Sequence, residues 1–138
     1  MFTTKTRSIY QALLWVQGLY TIATAVWGVI DIESFMAVTG PKTDLWLVKT
    51  FSALLFGIGL AMILEAVFLS RAVPLLILFL LNSVVLAFAD LYYGLTGEIS
   101  RAYVVDGVAQ VIFALAWLFV LSQLKVMLDS RQGHQGSR

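Results

Sequence analysis

The sequence predicts an all-α integral membrane protein, a four-helix antiparallel bundle. Three observations carry that reading. Of 138 residues, 60% are hydrophobic and 12% charged, and mean hydropathy is +0.90. Apolar runs of membrane-spanning length recur four times, and the polar connections between them are short. Such runs must be helices, because lipid leaves every backbone group to be paired within the chain and the alternation of a barrel strand is missing.

The first run extends from Ile9 to Ile30. Lys5 and Arg7 before it, with Ala23-Thr24-Ala25 inside it, resemble a signal peptide and its cleavage site. The apolar stretch continues past that site, which favours a first span. The segment from Asp31 to Asp44 follows as the longest connection, and Ile32, Phe35, Met36 and Val38 fit a short amphipathic turn on the membrane surface, ended by Gly40-Pro41. Thr43 or Asp44 is placed to cap the second span, residues 45–69. The third covers 73–93 and the fourth 103–128, so one transmembrane domain occupies 1–128 and a polar tail, expected to be disordered, occupies 129–138. Short loops make consecutive helices antiparallel neighbours.

Charge sets orientation. Lys5, Arg7, Arg71, Lys125, Arg131 and Arg138 fall at one end of the spans, whereas Lys42 and Arg101 at the other are mixed with Asp31, Glu33, Asp44 and Glu98. The positive-inside rule puts both termini in the cytoplasm, as in a bacterial inner membrane. Trp27, Trp46, Tyr92, Tyr93 and Tyr103 then form the outer aromatic belt, with Tyr10 and Trp15 at the inner one.

Composition also excludes. Without Cys there are no disulfides, thiol relays or Cys-ligated metals, and the lone His134 in the tail rules out an intramembrane histidine site. A net charge of +1 without a basic stripe gives no nucleic-acid partner. The HExxH, phosphate-loop, nucleophile-elbow and dinucleotide patterns are missing, so no catalytic residue is assigned and any cofactor stays open.

Polar residues within the spans are the functional signal, because a charge at membrane depth is costly and faces the bundle interior or water. On the first helix, Gln17, Thr21, Thr24, Gly28 and Asp31 recur at helical spacing, as a pocket wall or as helix-packing positions with Gln17 bonded to a neighbour. On the second, Lys49 shares a face with Ser52, Ala53, Phe56 and Leu60, and Ala53, Gly57 and Ala61 form a ladder of small residues that implies a close neighbour. Glu65 points away from Lys49, toward the inner interface near Arg71. Asn82, Leu86, Asp90 and Tyr93 lie on one side of the third helix, and Asp106, Gln110, Phe113 and Trp117 on one side of the fourth. Lys49 is thus expected to pair with Asp90 or Asp106, unless its stem simply snorkels to the surface. Thr39-Gly40 and Thr96-Gly97 stand equally far before Lys49 and Asp106, a possible duplicated hairpin that would make the two residues face each other.

These groups make a polar outer end for an intrabundle pocket: Lys49, Asp90, Asp106, Asn82, Gln110, Gln17, Thr21 and Tyr93 as a ligand-binding or ion-pair cluster. The occupant expected is a small lipophilic or amphipathic ligand. Alternatives are a proton- or ion-coupled transporter or channel subunit, a homo-oligomer because four short helices enclose little space, a lipid-modifying enzyme, and a structural assembly subunit.

The four-helix plan, with the stretch from Thr39 to Val48, Asp90-Leu91-Tyr92-Tyr93 and Tyr103 to Asp106, resembles small bacterial membrane proteins of the DoxX-like and EXPERA-like kind. That resemblance implies an internal pocket for a sterol-like or other lipophilic molecule. It also implies that Asp90 and Asp106 are the acids for any double-bond isomerisation, although the bundle lacks histidine.

Overall fold

The computed structural model describes the backbone of residues 4–135 and the side chains of residues 5–124. Among the described residues five helices follow one another: α1 (Thr4–Ile30), α2 (Ile32–Thr39), α3 (Leu45–Phe68), α4 (Val73–Thr96) and α5 (Ala102–Gln135). All but α2 contain a stretch long and apolar enough to cross a membrane. The protein is therefore a multi-pass helical membrane protein with antiparallel packing. The tail expected from residue 129 falls where side chains lie outside the described residues, and the α5 backbone runs helically through Gln135.

Local chemistry explains the boundaries. Asp31 ends α1 and caps α2, its carboxylate accepting the Ser34 backbone N–H at 3.1 Å. The Ser34 bonds hold the exposed Asp31 carboxyl below its ordinary pKa. Asp31 thus belongs to a cap, not to the polar stripe of α1. Gly40 closes α2 at a positive φ of 88°. Asp44 occupies the N-cap of α3 without a side-chain cap bond, so neither it nor Thr43 supplies the expected cap. Pro74 sits in the first turn of α4, where a missing N–H leaves no helical bond unmade.

Packing is by pairs: α1 lies along α3, α4 lies along α5, and α1 joins the pairs through α5. Small residues set the α1–α3 approach. A Cβ on Gly18 would meet Ile63 Cδ1 at 2.8 Å and the Gly59 carbonyl oxygen at 3.2 Å, and one on Gly59 would meet Ile22 Cγ1 at 2.8 Å. This corrects the expected ladder, since Ala53 is exposed and Gly57 has open space where its side chain would be. The buried stripe is Ser52, Gly59, Met62 and Ala66, turned around the helix from the Ala53-Gly57-Ala61 row.

One end of the bundle is solid. Tyr10, Leu13 and Leu14 of α1 pack with Met62 and Ala66 of α3, Leu76 and Phe79 of α4, and Trp117 and Val120 of α5. The Trp117 ring stands edge-on to Tyr10 at 6.1 Å and tilted on Phe79 at 5.5 Å. Tyr10 is fully buried and so is a core residue, where the sequence suggested an interfacial anchor.

The buried carboxylate of that end has several donors. Glu65 accepts hydrogen bonds from the hydroxyls of Tyr10 and Ser70 and, at 2.6 Å, from the Arg71 backbone N–H. Leu69 and Arg71 hold positive φ angles of 52° and 55°, a conformation that is costly for residues with a Cβ. The Glu65 carboxylate bonds both residues after Leu69, and so fixes the tight α3–α4 turn.

Candidate functional site

At the opposite end the four spans enclose a cavity of about 530 Å³, roofed by α2. Its walls come from all five helices: Tyr20, Thr21, Thr24 and Trp27 of α1; Phe35, Val38 and Thr39 of α2; Leu47, Val48, Phe51, Ser52 and Leu55 of α3. On the other side stand Leu86 and Asp90 of α4, with Ala102, Tyr103, Val105, Asp106 and Gln110 of α5. The lining is largely apolar, with hydroxyl-bearing residues on α1, α2 and α3 and both carboxyl groups on the α4–α5 side. Leu47, Phe51 and Val105 line the cavity and are also about half or more exposed, so its mouth faces outward between α3 and α5.

The roof is anchored at three points. Trp27 Nε1 donates to Ser34 Oγ at 2.7 Å and its ring meets Phe35 edge-on at 5.5 Å. Ser100, in the α4–α5 connection, donates to the Val38 carbonyl at 3.1 Å. Lys42 donates to the Thr39 carbonyl at 3.0 Å and lies 5.0 Å over the Tyr103 ring, where burial pushes its ammonium below its usual pKa.

The acidic wall forms where α4 and α5 cross. A Cβ on Gly107 would lie 2.8 Å from Leu91 Cγ and 3.2 Å from Asp90 Cβ, so only a residue without a side chain lets the helices meet there. That approach makes Asp90 and Asp106 electrostatic neighbours. Tyr20, reaching across from α1, donates its hydroxyl to Asp106 Oδ1 and packs on Phe113 with ring centroids 5.8 Å apart. Asp90 is 8% exposed and Gln110 3% exposed, yet Asp90 Oδ2 and Gln110 Oε1 have no hydrogen-bond partner. Buried acceptors left in this state cost about 1–3 kcal/mol each, more when charged.

The eight residues singled out from the sequence separate accordingly. Asp90, Asp106, Gln110 and Thr21 come together on the cavity wall. Lys49 is exposed and does not line it, because the face of α3 that turns inward carries Ser52 one turn later. Lys49 and Asp106 therefore do not face each other across the cavity, contrary to the expectation from the Thr-Gly repeat. Gln17 lies below, its amide donating to Ser83 Oγ at 2.7 Å and accepting from Trp117 Nε1 at 2.6 Å. Those bonds tie α1, α4 and α5 together, the packing role weighed for Gln17 at the outset. Asn82 is half-buried away from the cavity with its Nδ2 unpaired. Tyr93 is 43% exposed, its ring against Tyr92.

Tyr20 is the lining residue that sequence reasoning passed over. A signal was present, since Gln17, Tyr20, Thr24 and Trp27 follow one another at helical spacing. A stripe drawn through the small polar residues alone skips the aromatic members of the same face.

Among the described residues no group of three His, Cys, Asp or Glu is placed to hold a metal ion. Comparison of the chain with protein-family models, curated proteins and solved structures gives no match. No family is identified for the chain, and its four long apolar helices carry the coarser reading, a small four-helix membrane protein.

Proposed function

We propose that this protein binds a small lipophilic or amphipathic molecule in the cavity beneath α2, with the molecule's polar end at Asp90, Asp106 and Gln110. The observation that carries the reading is the pairing of a largely apolar chamber of about 530 Å³ with buried acceptors that the protein leaves unmatched. That volume lies in the range of sites for small organic ligands, and a few convergent polar groups in an apolar wall are the usual means of orienting them. The outward mouth at Leu47, Phe51 and Val105 supports entry from the bilayer.

Binding is favoured over passage. Below the cavity, the Gln17–Ser83–Trp117 clasp and the packed residues around Tyr10, Met62 and Phe79 fill the bundle. A transporter needs a route through that end. With the charge bias of the loops read by the positive-inside rule, both termini lie in the cytoplasm and the cavity opens in the outer leaflet, as in a bacterial inner membrane. In this arrangement Asp90, Asp106, Gln110 and Thr21 contact the ligand, and a second copy of the chain is not required.

Native mass spectrometry of protein released from mild detergent tests the reading. A discrete nonphospholipid mass should accompany the wild type and be lost from Asp90→Ala, while the variant keeps the wild-type helical circular dichroism. Retention of the same mass by Asp90→Ala removes the acidic wall from the site.

A further inference from the structure

The charge in the cavity is unbalanced. Two neighbouring carboxyl groups line it, and among the described residues no Lys, Arg or His does. Lys49 is exposed outside it, and Lys42 is held at the Thr39 carbonyl and the Tyr103 ring. The Tyr20 hydroxyl donates to Asp106 Oδ1, and the side chains of Asp90 and Asp106 are hydrogen-bonded to each other. Asp90, more than nine-tenths buried, presents Oδ2 unpartnered on the cavity wall, and Gln110 Oε1 one turn along from Asp106 is unpartnered too. The wall thus sets a carboxyl pair without a lining cation beside an amide oxygen that lacks a donor.

Resting on the ligand-binding reading above, we infer that the occupant is a lipophilic amine, whose ammonium sits between Asp90, Asp106 and Gln110 and whose apolar body fills the chamber toward Phe51 and Leu55. An ammonium supplies up to three N–H donors and a positive charge at once. Charge-assisted bonds are roughly twice as strong as neutral ones, and a charge between buried partners is screened little by salt. An alcohol offers one donor and no charge, and a carboxylate adds a third negative group to two acids. An inorganic cation suits the chamber less well, because it wants a shell of oxygens and most of this wall is hydrocarbon.

One skeleton with three polar ends tests the inference: 4-phenylbutylamine, 4-phenylbutanol and 4-phenylbutyrate, titrated calorimetrically into the full chain in nanodiscs against empty nanodiscs. The amine should bind the wild type at least about tenfold tighter than the alcohol, with the acid weakest. In Asp90→Asn/Asp106→Asn that advantage should fall to about threefold or less while the alcohol still binds. Amine and alcohol bound equally, or the acid bound best, overturns the amine assignment and leaves the cavity reading standing. None of the three bound overturns both. Na⁺ or Ca²⁺ bound at these carboxylates, with no amine advantage, gives the acids to an inorganic cation and also overturns the inference. Should the double variant misfold, the wild-type ranking of the three probes decides alone.

Discussion

The two ends of this bundle handle buried polar groups in opposite ways. At the solid end Gln17 uses both ends of its amide, on Ser83 and Trp117, and Glu65 accepts from Tyr10, Ser70 and the Arg71 backbone. At the hollow end Asp90 Oδ2 and Gln110 Oε1 are buried without a donor. The same helices thus give Gln17 and Glu65 several partners each at one depth and leave the cavity acceptors sparsely bonded at another. The contrast fits the proposed roles, in which the first end holds the helices together and the second offers a ligand its polar contacts.

Breaking the solid end should have the largest effect. Trp117→Ala removes a fully buried ring from contact with Tyr10 and Phe79 and leaves the Gln17 carbonyl without its donor. A loss of about 3–5 kcal/mol is expected from large-to-small core substitutions, measured by reversible unfolding in mixed micelles. Glu65→Gln comes next. It keeps the shape but exchanges charge-assisted acceptance for neutral bonds, at about 1–3 kcal/mol. Its cost should be local, with hydrogen exchange of the amides around Arg71 accelerating before those of α4 and α5.

The hollow end should respond in the reverse sense. Asp90→Leu replaces an unpaired buried acceptor by an apolar group of similar size, so stability should be unchanged or raised by about 1 kcal/mol, while retention of the bound molecule is lost. A destabilisation comparable to that of Trp117→Ala would make Asp90 a structural group and end the contrast between the two halves.

How far this was legible in the sequence differs between backbone and site. Spanning runs fix helices by length and hydropathy alone, and four long apolar helices are what these runs form. Which helix face turns inward was harder to read. On α3 the rows Ala53-Gly57-Ala61 and Ser52-Gly59-Ala66 are both rich in small residues, and both are consistent with close packing. The choice falls to Gly18 on α1, which meets Gly59, and a relation between two helices is not written in the period of either one. Asp90, Asp106 and Gln110 were legible because polar residues at membrane depth have few places to go. Tyr20 was not, because a tyrosine in a span reads equally as an apolar ring, and its role depends on the carboxylate that α5 brings to it.

Lys49 gives the smallest expected effect and the most direct test of that lesson. Read from the sequence, a lysine inside an apolar run is the natural counterion for Asp90 and Asp106, and its removal would strand two acids. In the structure it is exposed, off the cavity wall, near the end of α3 where a long stem reaches the headgroups. Lys49→Ala should therefore change stability by less than about 0.5 kcal/mol, the range of surface substitutions, and leave binding of the phenylbutyl amine as it is. The physical reason is position on the helix: Ser52, one turn on and rotated by about 60°, occupies the inward place, and no rotamer of Lys49 is needed to balance the cavity. A fall in amine affinity on this substitution would show that the lysine contributes to the field of the acidic wall through the open side of the cavity. A gain would fit the removal of a like charge at its mouth. Unchanged binding shows that the acidic wall works without the lysine.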